Sequence, residues 1–434
     1  MKSRFVFATP ALVMFLTLGV LSIFAASPAM AQEGDQLFEP GSFEDPQVCA
    51  GCHQDIHQQW ASSMHAYAWD SVWFREDYEQ AHRETDGATD MLCGPCHAPI
   101  AAKTGQLPPH DGSEFDSTAE KGISCDFCHT VSGLERPYNM GHLSSPGRVK
   151  RGPRGDGREL YHAVQYSELH TQAEFCGSCH NVIHPATEVM IIDTYDDWKN
   201  NEYGQNNISC QDCHMTPTPG VGKNPGRAAM MGQQRDNVAF HAFGGGSSYV
   251  QDYLGHEEQA ERARDLLRAA AELEISQQMG KDSTLELTVD VHNVGAGHKI
   301  PTGVTYIRKM WLHVEVLDGA GETVYSSGHI GGDNHVDPEA VFFRLLFEDE
   351  QGELTGKSWR AQGIGYDRRI AAKSTEREVY RIPLSAGEEY TVNTRLMYRS
   401  FSQATIDRLG QNLDKPLPPL ENVEMASATA KVGL

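Results

Sequence analysis

The 434-residue sequence predicts a mixed architecture: a loop-rich, mainly α N-terminal part followed by an antiparallel, β-sandwich-like C-terminal part. Three observations carry this. All ten cysteines lie between residues 49 and 213, in Cys-x-x-Cys pairs that suit single helical turns. Beyond about residue 280, apolar and polar residues alternate in short runs separated by turn residues. Between the two regions, HEEQAERARDLLRAAAELE, from His256 onward, sets polar residues on one side and Leu and Ala on the other, as a helix does.

The N-terminus reads as an export signal. Lys2 and Arg4 precede an apolar run from Phe5 to Phe24, and Ala29-Met30-Ala31 stands before Gln32. That order is the secretory one, with cleavage after residue 31; the competing reading, a retained anchor, fits the small-residue cleavage site less well. No later stretch is apolar enough to cross a bilayer, so the mature chain is expected in the periplasm or at the cell surface. At roughly 150 residues per domain, residues 32–255 and 256–434 form two domains. A formal charge of -23 excludes nucleic acid as a partner and suits solubility or a basic docking partner. With 39% hydrophobic residues and 41 glycines, the chain leans on something besides its side chains for a core.

In an exported protein, ten cysteines would ordinarily indicate five disulfides. The spacing indicates otherwise. The pairs read CAGCH at 49–53, CGPCH at 93–97, CDFCH at 125–129, CGSCH at 176–180 and CQDCH at 210–214, each closed by histidine, with no cysteine left over. Two cysteines so spaced present both sulfurs on one side of a helical turn, where they form thioethers to the two vinyl groups of one haem. The following histidine is then aimed at the iron. Thioredoxin-like motifs do not come five to a chain, and zinc ribbons use their pairs two by two, which strands one of five. The expectation is therefore five covalently bound c-type haems. Cys49, Cys52, Cys93, Cys96, Cys125, Cys128, Cys176, Cys179, Cys210 and Cys213 attach them, and His53, His97, His129, His180 and His214 are the proximal ligands. First cysteines are 44, 32, 51 and 34 residues apart, so each haem has a short wrapping and close haem neighbours.

The sixth position of each iron decides between electron transfer and substrate chemistry. Fifteen histidines lie outside the motifs. His65, in WASSMHAYAW, is read in a helix with Trp60 and Trp69. His241, in NVAFHAFGGG, precedes a glycine run that permits close backbone approach to a porphyrin. His162 and His170 lie upstream of the fourth motif. These four are candidate distal ligands, with His142 and His184 in reserve. His57 and His82 read as solvated helix positions and His110 as a loop residue. Met64, Met140 and Met215 are alternatives that would raise the potentials; bis-histidine ligation, with low potentials, is preferred.

In the C-terminal part, LELTVDVHNV, KMWLHVEVLD, ETVYSSGHI, EREVYRIPL and YTVNTRLMYRS read as strands, and SQATIDRLG as a closing helix. The loop NVGAGHKIPTGV, residues 293–304, carries His298 between glycines and a proline. It is read as reaching over to ligate a haem, which docks the second domain on the first. His313, His329 and His335 are expected to be structural. The basic stretch RVKRGPRGDGR at 148–158 is expected to be a solvated loop or a partner for haem propionates.

CAGCHQDIHQQWASSMHAYA, MLCGPCHAPIA, KGISCDFCHTV, EFCGSCHNV with TYDDWKNNEYGQNNISCQDCHM, and VGAGHKIPTG together resemble a bacterial family of multihaem c-type cytochromes, the superfamily of the tetrahaem cytochromes that serve hydroxylamine oxidation. The resemblance covers nearly all of the mature chain. It implies stacked, mostly bis-histidine haems, and it supports His65 and His298 as distal ligands. Five motifs and an added domain depart from the four-haem pattern. No Cys-x-x-Cys-Lys is present, the attachment site that marks the catalytic haem of pentahaem nitrite reductases. The preferred function is electron transfer between redox partner proteins, with no catalytic residue assigned. The alternatives are an oxidoreductase of a small nitrogen or sulfur compound at an open haem, and self-association as the subunit of an extracellular filament.

Overall fold

The computed structural model describes residues 37–220, 222–385, 388–411, 413 and 416–433. The signal-peptide reading lies outside the described residues. From Leu37 onward the chain forms one compact unit.

Each Cys-x-x-Cys-His lies in or beside a short helix. The N-terminal half contains α1 (Pro46–Ala50), α2 (Gln54–Ala61), α3 (Val72–Thr85), α4 (Asp90–His97), α5 (Pro99–Lys103) and α6 (Cys125–Thr130). After these come α7 (Ala173–His180), α8 (Thr194–Lys199), α9 (Glu202–Gln205), α10 (Cys210–His214) and α11 (Ser248–Tyr253). Local chemistry starts several of them. Asp45 caps α1 through Gln47 N, Ser71 caps α3 through Phe74 N, and Ser209 with Asp212 forms a capping box on α10. Three two-stranded ribbons lie among them: β1 (Val131–Leu134) with β2 (His142–Ser144), β3 (Val149–Gly152) with β4 (Ala163–Tyr166), and β5 (Val182–Ile183) with β6 (Met190–Ile192).

Two expectations change here. His65 lies in the turns after α2, where its carbonyl accepts Ile123 N at 3.0 Å. Part of the basic stretch is not a solvated loop: β3 pairs in parallel with β4, Lys150 is bonded to the buried Asp126, and Arg235 holds Asp156 at 2.7 Å.

In the C-terminal half, α12 (Glu257–Ala270) ends where AELE was read as helix, and β7 (Ala271–Met279) begins. Alternate burial of Ala271 and Leu273 suits a strand as well as it suits a helix end, and pairing with β8 (Thr284–Asn293) decides it. Next come β9 (Lys309–Leu317), β10 (Thr323–Ser327), β11 (Phe342–Phe343), β12 (Leu345–Glu348), β13 (Leu354–Thr355) and β14 (Gly363–Asp367). The half ends with β15 (Thr375–Pro383), β16 (Glu389–Arg399), α13 (Gln403–Gly410) and β17 (Val423–Gly433). Thus α13 does not close the half; β17 follows and pairs with β16.

One sheet runs β10-β9-β16-β17 with β11 on β9, a second runs β15-β8-β7, and β13-β12-β14 form a third. Leu285, Leu287, Val289 and Val291 of β8 share one core with Val314 and Val316 of β9 and Val392 and Leu396 of β16. Strict alternation produces that core: β8 buries every second residue.

Candidate haem centre

The motif helices set their cysteines close together across the chain. The thiols of Cys49 and Cys125, of Cys96 and Cys179, and of Cys176 and Cys210 are near enough to influence one another's ionisation. These atoms stand where thioether sulfurs would be. The first attachment site is therefore a neighbour of the third, the second of the fourth, and the fourth of the fifth. Among the described residues no cysteine pair forms a disulfide.

The histidines supply the test of whether haem fits. Metal–imidazole bonds of about 2.0–2.1 Å set two rings on opposite sides of one ion with centres about 6 Å apart. His53 and His162 are 6.2 Å apart, His65 and His180 6.3 Å, and His214 and His298 6.3 Å. His129 faces both His241, at 6.4 Å, and His170, at 5.8 Å.

Hydrogen bonds fix which nitrogen is free. Nδ1 of His53 donates to Ala228 O at 2.6 Å, of His129 to Arg151 O at 2.6 Å, and of His214 to Gly244 O at 2.6 Å. On the opposing side, Nδ1 of His162 donates to Ala163 O at 3.1 Å, of His241 to Ala239 O at 2.8 Å, and of His298 to Lys299 O at 2.9 Å. A ring whose Nδ1–H is held by a carbonyl keeps its Nε2 lone pair for a metal. Burial favours that neutral ring. It pushes His65 down to about 3 and His241 and His298 to about 4, with neighbouring histidines adding to the effect, and it lowers His129 and His180 as well.

His170 differs from the other candidates: its Nε2 donates to Cys128 O at 3.0 Å, and its buried Nδ1 has no hydrogen-bond partner. The reserves are also committed on one side. His142 Nε2 donates to Phe175 O at 2.8 Å, and His184 Nδ1 accepts Ala186 N and Thr187 N at 3.3 Å.

The second motif stands apart. His97 donates from Nδ1 to Ala68 O at 3.0 Å, but the ring lying on it is Phe74, 3.5 Å away and 3° from parallel. The signal was illegible in sequence, because Phe74 lies on α3, 23 residues upstream, among ordinary apolar positions.

The His298 loop is held from both sides. Toward the N-terminal half, Lys299 N donates to Asp197 Oδ2 at 2.5 Å, Asn201 Nδ2 to Gly297 O at 2.9 Å, and Thr194 and Thr302 share a hydroxyl bond of 2.7 Å. Toward the β-sheets, Asn293 Nδ2 donates to His298 O at 2.8 Å, and Ile300 pairs with Ile370. The loop's glycines serve polypeptide packing. A Cβ at Gly295 would meet Ala269 O at 1.9 Å, and one at Gly297 would meet Tyr203 at 3.2 Å. Likewise Gly246, in the run after His241, lies where a Cβ would meet the Tyr398 hydroxyl at 2.7 Å.

Residues 48–130 match the family model of cytochrome c554 and c-prime. A crystal structure of a penta-haem cytochrome c552 from Thermochromatium tepidum is similar in fold, with a TM-score of 0.64 at 20% identity, over 91% of this chain and all of that one. Two further matches carry no weight at a TM-score of 0.17: a putative β-galactosidase from Bacteroides fragilis (11% identity, 38% of this chain and 18% of that one) and the CARDB domain of a Pyrococcus furiosus protein (14% identity, 38% of this chain and 89% of that one). No curated protein matches the chain in sequence. The family match and the shared fold support a multihaem c-type cytochrome. Among the described residues no helix is long and apolar enough to cross a membrane.

Proposed function

We propose that this chain is an exported electron carrier that binds five c-type haems, four of them between two histidines. The carrying observation is the opposition of four motif histidines to a second imidazole at 6.2–6.4 Å. His53 would ligate with His162, His129 with His241, His180 with His65, and His214 with His298. His170 also faces His129, with Nδ1 as its free nitrogen; His241 is taken as the trans partner because it offers Nε2, as His162 and His298 do. Bound haem would supply reversible one-electron exchange with redox partner proteins.

The residues organise that exchange. The adjoining cysteines order the attachment sites as first beside third and second beside fourth beside fifth. Phe243 joins the two sets: its ring lies 4.4 Å from His65 and 5.6 Å from His241. The result is a chain of sites, 1–3–4–5, with site 2 as a branch on site 4. The C-terminal half, read as a sandwich-like domain, donates His298 and closes site 5.

A second reading, an oxidoreductase acting on a small inorganic compound, draws on one observation: among the described residues no second imidazole opposes His97 at the spacing of the other four pairs. Electron paramagnetic resonance of the oxidised protein, with and without cyanide, tests both. Four low-spin irons that ignore cyanide support the ligand assignment. More than one high-spin iron overturns it. Mass spectrometry should give five haems.

A further inference from the structure

We propose that Glu79, His82, Asp90 and His110 form a separate, non-haem site for a divalent transition ion of the zinc or copper type. The site is independent of the haem assignment. Three segments meet there. Helix α3 carries Glu79 and His82 one turn apart on one face. Asp90 opens α4, and His110 lies in a loop held to α3 by Arg75, which donates to His110 O at 3.1 Å and Asp111 O at 3.3 Å.

The polar atoms converge. His82 Nδ1 lies 2.9 Å from Asp90 Oδ2, His110 Nε2 lies 3.1 Å from Glu79 Oε2, and the two imidazoles stack with centres 3.5 Å apart and planes 9° from parallel. One ligand atom each from His82, Asp90 and His110 falls within 4.8 Å of the other two. Ligand atoms around one tetrahedral ion with bonds of about 2.0–2.2 Å are roughly 3.3 Å apart, so the His82–Asp90 and His110–Glu79 contacts already approximate coordination edges. Small side-chain rotations would unstack the rings onto a common ion.

Two further features separate this cluster from a casual surface pair. The Asp90 side chain is only 10% exposed, and a carboxylate so placed needs a compensating charge or donor. Gly87, at φ +78°, leaves the approach clear, since a Cβ there would come within 3.3 Å of Asp90 Oδ2 and 3.5 Å of His82 Nδ1. Imidazole and carboxylate donors without thiolate select zinc, copper or nickel over calcium or magnesium. A bound ion would tie α3 and the 110 loop to the first residue of the helix that carries Cys93, Cys96 and His97.

The experiment is calorimetric titration of Zn²⁺ into the haem-loaded protein after treatment with a chelator, which leaves thioether-bound haem in place. One ion per chain is expected. His82→Ala and His110→Ala should each weaken binding by at least about tenfold, by comparison with the roughly 10–100-fold lost even when an outer-shell partner is removed. His329→Ala, at an imidazole 57% exposed elsewhere, should leave binding unchanged. An unaltered haem absorption spectrum in each variant shows that it folds. Failure of the wild-type protein to bind one ion, or equal binding by both His82 and His110 variants, overturns the proposal.

Discussion

Arg369 grips Asp193 with two parallel hydrogen bonds, Nη1 to Oδ1 at 2.6 Å and Nη2 to Oδ2 at 2.8 Å, and so joins the β-rich half to the segment just before α8. The same guanidinium holds Asp367 through Nε at 2.8 Å, and its side chain is 1% exposed. Lys299, next to His298, completes the cluster at 3.3 Å from Asp193. Fork-to-carboxylate geometry of this kind orients as well as attracts. Removing the guanidinium leaves two partly buried carboxylates with Lys299 between them, at 3.3 and 3.5 Å. Arg369→Met should therefore destabilise the protein by about 3–5 kcal/mol, read by denaturant unfolding. It should also raise the high-spin haem fraction, because the His298 loop loses its anchor. A stability loss with an unchanged haem spectrum would separate the clamp from His298.

His298 itself makes the sharper prediction. Its ring faces His214 at 6.3 Å and 13° from parallel, and the loop that carries it is fixed independently at Asn293, Gly297, Lys299 and Ile300. His298→Ala should leave the backbone in place and open one iron. One haem equivalent should become high-spin and bind cyanide, with the other four unaffected. An unchanged spectrum would reduce His298 to a packing residue of the loop.

Acid should act on the same junction. Desolvation by burial works to raise the Asp193 and Asp367 carboxyls, but their bonds to Arg369 outweigh it and hold both below the ordinary carboxylate range. A depressed folded-state value means that the stabilisation is present at neutral pH and is lost as pH falls through that lowered range. Unfolding free energy should fall below about pH 4, the unfolded carboxylate value. In Asp193→Asn that part of the acid dependence should shrink. Equal acid slopes in both proteins would assign the loss to other carboxylates.

Phe243 gives a test of the order of sites. Its φ of +48° is an unusual backbone state for a bulky residue, and its ring touches His65 and His241, which face motif histidines of two different haems. Phe243→Ala should shift the resonance signals of two haems together. A shift in one alone would break the proposed connection between sites 3 and 4.

The five Cys-x-x-Cys-His motifs were legible because thioether chemistry requires its residues contiguously, five residues at a time. The strands β8, β9, β15 and β16 were legible for a related reason: alternation is local and strong. The end of α12 was not, since Ala-Glu-Leu-Glu satisfies both periods and only pairing with β8 distinguishes them. Strand β17 was missed because VEMASATAKVG alternates small residues with weak apolar contrast. The proposed distal ligands lay between. His65, His162, His241 and His298 were named from local context, but their pairing with particular motif histidines spans from 84 to 115 residues of chain and depends on tertiary packing. His82 read as a solvated helix position and His110 as a loop residue, and nothing local in either segment announces that they stack.

The contact between His97 and Phe74 carries the last prediction. Phe74 lies on the face of the imidazole, and among the described residues no second imidazole opposes His97 at the 6.2–6.4 Å of the other four pairs, so the iron that His97 would hold should lack a second histidine. The oxidised protein should then show one high-spin iron, and that iron should be the one which binds a small exogenous ligand. Phe74 lies on α3 between the Ser71 cap and Tyr78, whose ring stacks on it at 5.1 Å, so α3 sets its position. Its bulk on the imidazole face should hold the rotation of the His97 ring about its bond to the metal. Phe74→Ala removes that bulk without touching a thioether cysteine or a ligand, at a cost to stability of at most about 3–5 kcal/mol. The high-spin resonance of one haem should change in the variant, because its proximal imidazole is freed to rotate. An identical signal in the two proteins would mean that Phe74 does not set the orientation of the His97 ring. Five low-spin irons in the wild-type protein would mean that a sixth ligand reaches this site after all, and the oxidoreductase reading would fall with it.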